Sequence, residues 1–242
     1  MASHHRSWTV TSVIRQKEQV PAIEKLGSGL PGKLNVLVRS IEVTSDEEAN
    51  GIINEVKPDY VAWSAGAGGK GGAERTYKVD RDAASHFARA AAANSSIARF
   101  LLISYNGSRR KAASWWPEGE WDDYHKKINF GVLADYYQAK ISADEAFYEA
   151  TKKSSNFVGI NLRPGHLIDE PAGKVSLGKT TLKGSVPRET VAHVADALLA
   201  ADGLKSGWID LLQGDDALDA AVGKVVQEGI DTAEGEDIYE SK

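Results

Sequence analysis

Cysteine is absent from this chain, methionine occurs once, and no apolar run approaches the roughly 20 residues that a membrane-spanning helix requires. Without cysteine there is no disulfide and no thiolate chemistry, which fits a reducing compartment. There is no charged-then-apolar signal segment: residues 1–5 are short and polar, and His4 and His5 read as a start peptide, not a metal site. An excess of basic charge is missing too. Lys and Arg total 29 against 34 Asp and Glu, giving a net charge of −5 and a pI near 5.7. That balance argues against a nucleic-acid surface and leaves Arg109-Arg110-Lys111 and Lys126-Lys127 as short solvated clusters. No repeat, linker, paired histidines or retention signal stands out, so the expectation is no metal, no membrane, and a cytoplasmic protein.

Across its 242 residues the chain alternates strand-like and helical patterns. Strands are expected at residues 8–14, 34–38, 59–63, 99–104, 157–162 and 208–212, rich in Val, Ile, Leu and aromatics. Helices are expected at 21–26, 46–56, 79–93, 133–153, 188–201 and 218–228, with Ser45 as an N-cap and Glu48 three residues on. The stretch from Ser104 to about Gly131 reads as a loop with broken helical pieces, and residues 231–242 as a frayed acidic tail. Such alternation predicts a single α/β domain, a doubly wound parallel sheet with helices on both faces, whose ligands bind beyond the carboxyl ends of the strands.

Tyr136-Tyr137-Gln138-Ala139-Lys140 sets a phenol and an ammonium one helical turn apart on one face. A nearby ammonium favours phenolate and lowers the tyrosine pKa, preparing it for acid–base work. Tyr148 and Lys152 repeat the spacing. Gly66-Ala67-Gly68-Gly69-Lys70-Gly71 is a literal G-x-G-x-x-G, but no helix is expected to open within it, and its strand is the third in the chain. The reading preferred is a strand end, Ala65-Gly66, against a cofactor, with Gly68 to Gly72 as a flexible rim. Ser104 ends a strand and could either hold a substrate carbonyl or cap a turn. Arg15 could meet the 2′-phosphate that marks NADP or lie in solvent. Trp115, Trp116 and Trp121 suit a lid over the substrate or a satellite core equally. Of the histidines, only His166 falls just past a strand end.

Taken in order, these residues resemble the short-chain dehydrogenase/reductase superfamily, in an atypical NAD(P)-binding branch with a Rossmann-like fold. Ser104, Tyr136 and Lys140 are similar to its serine–tyrosine–lysine triad, and Trp63-Ser64-Ala65-Gly66 to its fourth-strand Ala-Gly element. Val79 to Ala84 resembles a helix that often carries Asn, and Arg163-Pro164-Gly165 the Pro-Gly turn lining the nicotinamide. Gly184 to Ala192 resembles a segment of extended and atypical members. The resemblance implies that Tyr136 is the acid or base, Lys140 its modulator and a ribose ligand, and Ser104 the substrate clamp. Arg15, Ala65, Gly66, Lys140, Pro164, Gly165 and Leu167 would contact the cofactor, NADP rather than NAD.

Two departures accompany the resemblance. Asp80 stands where many relatives have Asn, and residues 1–5 run into Arg6-Ser7-Trp8, which looks like the start of the family's second strand. A truncated or mis-spliced form lacking the first strand, glycine loop and helix is therefore expected, with two sheet edges unpaired unless they close on each other. The function implied is hydride transfer to or from a carbonyl or alcohol carbon of a small molecule, by a monomer or weak homo-oligomer. Alternatives are a non-catalytic nucleotide sensor, an inactive truncated form, and an epimerase or dehydratase of the sugar-nucleotide kind.

Overall fold

The computed structural model describes residues 7–154 and 157–241; the start peptide and Arg6 lie outside them. Each expected strand and helix is present. β1 (Thr9–Ile14) pairs in parallel with β2 (Lys33–Val38), with the short helix α1 (Val20–Leu26) between them. α2 (Asp46–Val56) starts at Ser45, whose side chain accepts from the Glu48 amide, while Glu48 reaches back to the Thr44 amide at 2.6 Å. That satisfies orphan donors of the first turn. Ala49 and Ile53 bury the inner face of α2, and Lys57 closes it in the left-handed conformation.

The main sheet runs β3-β4-β5-β9-β7, from β3 (Tyr60–Trp63), β4 (Arg99–Ile103), β5 (Val158–Pro164), β7 (Val175–Gly178) and β9 (Gly207–Gln213). Its pairings are parallel except β7 with β9, an antiparallel edge absent from the expectation of an all-parallel sheet. β7 is only four residues and follows a turn-rich stretch, so alternation gives little sign of it. A small parallel pair, β6 (His166–Ile168) with β8 (Ser185–Pro187), sits beyond β5. Among the described residues β1 and β3 do not pair, so β1–β2 forms a sheet of its own. The edges expected to lie open have not closed on each other.

Helices cover both faces. One core packs Ile53 of α2, Phe87 of α4 (Ala84–Ala93) and Phe147 of α6 (Ala134–Lys152) against Trp63, Phe100 and Leu102. The other packs Val194 and Leu198 of α7 (Arg188–Ala200) and Val225 of α8 (Leu218–Glu228) against Leu101, Ile160 and Ile209. α6 lies so near β5 that a Cβ on Gly159 would stand 2.0 Å from Thr151 Cγ2. Two π-helical turns interrupt the helices beside the strand ends. One, Tyr77–Ala83, joins α3 (Gly72–Thr76) to α4; the other, His125–Val132, joins α5 (Glu120–Tyr124) to the approach to α6. Extra-residue turns of this kind re-aim side chains and recur at functional sites.

Candidate active site

Tyr136, Lys140 and Asp144 recur every fourth residue on α6 and so share one face. α6 packs against α4, β5 and the π-turn that carries Asp80. Lys140 is buried, and its Nζ donates to the Ile103 carbonyl at 2.7 Å, at the carboxyl end of β4. Burial pushes this ammonium's pKa down, while Asp144 and Asp80 pull it back up.

Tyr136 is half-buried, with its ring 5.4 Å from that of Tyr105. The sequence predicts a lowered phenol pKa; the structure gives the opposite. Burial raises it, and the carboxylates of Asp80 and Asp144, with Tyr124, raise it further. The lysine charge is spent on a main-chain carbonyl and two carboxylates, so Tyr136 stands as a neutral phenol.

Ser104 is buried, and its hydroxyl donates inward to Asp144 Oδ2 at 2.6 Å rather than toward a ligand. Ser108 donates to the same oxygen at 2.6 Å. Arg163 lies 3.5 Å from that oxygen and donates to Asp210 at 2.8 Å and to the carbonyls of Ser108 and Asn106 at 2.9 Å each. Register explains the pair, since Arg163 and Asp210 are direct partners across β5 and β9. Asp144, Arg163 and Asp210 are all fully buried. A charge in that position needs such partners, because desolvating it alone costs several kcal/mol by order of magnitude.

This network reaches the C-terminal segment, which is docked, not frayed. Thr232 donates to Asp210 at 3.1 Å, and buried Arg109 donates to the carbonyls of Thr232 and Glu234. Glu236, also buried, accepts from the amides of Arg110 and Lys111 at 2.9 and 3.0 Å. Arg109 also lies 3.4 Å from the Glu236 carboxylate, so two main-chain carbonyls and one carboxylate serve a buried cation that composition alone leaves in solvent. Tyr148 and Lys152, the second pair at the same spacing, also belong to this docking: Tyr148 donates to Asp231 at 2.8 Å, and Lys152 to the Ile238 carbonyl. Trp116 and Trp121 pack with Ala113 and Leu182, and the indoles of Trp115 and Trp116 both donate to the Thr180 carbonyl at 2.9 Å. They form a satellite core.

The glycine segment is tied down at its start. Asp80, buried, accepts from the Ala67 amide at 2.9 Å, and a Cβ on Gly66 would stand 2.8 Å from Asp80 Oδ1. Arg75 donates to the carbonyls of Ala67 and Lys70. No helix opens within the motif; a short one, α3 (Gly72–Thr76), begins just past it, where Gly71 adopts a left-handed cap. Arg15 and Gly66 meet at one cleft of about 230 Å³ between the carboxyl ends of β1 and β3, which Arg39, Glu42 and Arg75 also line. Glu42 pairs with Arg15 at 3.1 Å, Arg75 at 3.3 Å and Lys78 at 3.5 Å. Ala65 packs against the first core, Pro164 ends β5 buried, and Leu167 packs against the second core. Gly165 is pressed against Leu212 and the Gly184 carbonyl, and His166 is exposed.

Two groups of site residues thus emerge, joined through Asp80: the cationic cleft, and the Ser104–Tyr136–Lys140 cluster. Asp144 is the residue that the motifs leave unmarked, and Arg163, the first residue of the Arg163-Pro164-Gly165 turn, points into the buried network. The clue to Asp144 was its spacing, one turn beyond Lys140 on the face that Tyr136 and Lys140 share.

A family model described as NAD(P)H-binding matches residues 2–202. The chain belongs to this NAD(P)H-binding family. It is 33% identical over 187 residues to UPF0659 protein C216.03 of Schizosaccharomyces pombe, covering 76% of this chain and 71% of that protein. It is 27% identical over 218 residues to the uncharacterized sugar epimerase YhfK of Bacillus subtilis, covering 90% and 88%. The oxidoreductase ylbE of Lactococcus lactis superposes with a TM-score of 0.64 at 20% identity, covering 91% of this chain and 97% of that one. The chain is therefore an atypical NAD(P)H-binding domain of Rossmann-like fold.

The residues of this NAD(P)H-binding domain fit part of a dinucleotide. Small-molecule pockets usually span about 300–1,000 Å³, so the 230 Å³ cleft suits one nucleotide end. Its donors are guanidinium groups, which match phosphate oxygens in pairs.

Proposed function

We propose that the protein is an NADP-dependent reductase of the short-chain type, in which Tyr136 gives a proton to the oxygen of a small carbonyl substrate. The observation that carries this reading is the state of Tyr136: a phenol kept protonated, one turn from buried Lys140, which is bonded to the carboxyl end of β4. A raised pKa keeps the phenol in the protonated form that carbonyl reduction needs and leaves little phenolate to deprotonate an alcohol, although it also weakens the acid. Bound nicotinamide would supply the hydride. Arg15, Arg39 and Arg75 would hold the phosphate-bearing end, and Gly66 would let the strand end approach it closely. Lys140, once drawn from Ile103, would reach a ribose hydroxyl.

The test is fluorescence titration with NADPH and NADH, followed by an NADPH-oxidation screen against carbonyl compounds. Tighter binding of NADPH, weakened about tenfold or more by Arg15→Ala, supports the phosphate assignment. Tyr136→Phe should abolish turnover while leaving circular dichroism and NADPH affinity in place. Full turnover by that variant would remove the tyrosine from the chemistry.

A second reading has its own support. The similarity to YhfK extends over 90% of this chain, and that relative is named a sugar epimerase. Epimerisation by this residue would begin with a phenolate, which burial and two carboxylates disfavour in the free protein. Turnover of nucleotide sugars without net NADPH oxidation would favour it. Tight NADPH binding with no turnover of either kind would favour a sensor.

A further inference from the structure

We propose that Asp144 is a positioning residue that takes the Ser104 proton inward, so that Ser104 offers the site lone pairs and acts as a hydrogen-bond acceptor. This rests on the reading of Tyr136 as the acid. A serine hydroxyl has one proton and two lone pairs. That of Ser104 goes to Asp144 Oδ2 at 2.6 Å, the short separation of a bond to an ionised acceptor. The acceptor state is fixed by its surroundings. Ser108 donates to the same oxygen at 2.6 Å, Arg163 Nη1 lies 3.5 Å away, and Lys140 is one turn back on α6. The whole assembly is buried, so solvent does not compete for the proton.

The consequence is a division of labour within the cluster. Of the two hydroxyls, the one that offers a proton to a carbonyl is that of Tyr136, while Ser104 receives a hydroxyl: that of Tyr136 before transfer, or that of the alcohol formed by it. Ser104 then serves the product side of the reaction and the phenol's orientation, not the polarisation of the carbonyl.

Two measurements test this. Proton NMR of the full chain should show a slowly exchanging serine hydroxyl resonance that disappears in Ser104→Ala and moves upfield in Asp144→Asn. Kinetics with a carbonyl found in the NADPH-oxidation screen, and its alcohol, give the functional arm. Ser104→Ala should weaken inhibition by the alcohol about tenfold, one hydrogen bond, and leave the KM of the carbonyl within about twofold. In Asp144→Asn the amide can donate to Ser104 and turn its proton outward, so the KM of the carbonyl should fall. Absence of the protected hydroxyl resonance overturns the proposal. So does a Ser104→Ala variant whose carbonyl KM rises about tenfold with alcohol inhibition unchanged. A screen that yields no carbonyl substrate, or an active Tyr136→Phe, counts against the reductase reading instead; the resonance still decides the placement of the proton.

Discussion

Lys140 Nζ donates to the Ile103 carbonyl at 2.7 Å, which ties the centre of α6 to the end of β4. The bond holds the ammonium between two buried carboxylates, Asp80 and Asp144, both of which favour its charged form. Lys140→Met keeps the volume and removes the charge. It leaves a carbonyl unpaired and two carboxylates without their shared cation. Breaking one side of a buried charge arrangement typically costs about 3–5 kcal/mol. The variant should therefore unfold at clearly lower urea concentration. Adding Asp80→Asn should recover part of the loss, because the remaining charge imbalance shrinks. Additive losses in the double variant would show that the two residues do not interact.

Gly66 is glycine because Asp80 occupies the space a side chain would take. A Cβ there stands 2.8 Å from Asp80 Oδ1, closer than carbon and oxygen approach without displacement. Gly66→Ala should turn the Asp80 carboxylate away and break its bond from the Ala67 amide, now 2.9 Å. Overpacking of this kind costs about 1–3 kcal/mol. Asp80→Ala removes the obstructing atoms, so the pair of substitutions should cost less than the sum of the singles. Urea denaturation of the four proteins measures the coupling, and a zero value would mean that the loop relaxes around the methyl group.

The fold was legible because its signals are local. β-branched runs such as Leu34-Asn35-Val36-Leu37-Val38, and the Ser45–Glu48 cap, depend on neighbours in sequence, and each formed as expected. The tyrosine helix was likewise legible, down to the face shared by Tyr136 and Lys140. What escaped was set by distant partners. The inward turn of the Ser104 hydroxyl depends on Asp144, 40 residues on. The anchoring of the acidic tail depends on Arg109, more than a hundred residues away from Thr232 and Glu234. A charged residue carries no mark in the sequence that says whether water or another buried charge will solvate it. Spacing showed where the phenol and the ammonium would lie; the direction of the phenol's shift needed burial and the two carboxylates.

Tyr148 gives a pH signature to the docked C-terminal segment. Its hydroxyl donates to Asp231 at 2.8 Å, and Asp231 also accepts from the amides of Trp208 and Ala233 at 2.9 Å each. Burial, then the Asp231 charge, pushes the phenol's pKa up in the folded protein. An unfolded tyrosine ionises near pH 10, about its unperturbed value. The folded chain therefore holds its proton where the unfolded chain releases it. Stability from this site is complete below about pH 10 and is lost as pH climbs from there toward the folded value. Tyr148→Phe should cost about 1–2 kcal/mol near neutrality, through the lost hydrogen bond and the less satisfied Asp231. Above about pH 10 the variant's stability should fall less steeply than that of the parent, by up to one proton, or about 1.4 kcal/mol per pH unit. Denaturation at neutral and alkaline pH compares the slopes. Parallel curves would mean that Tyr148 keeps no extra hold on its proton, and that the Asp231 bond does not fasten the segment in solution.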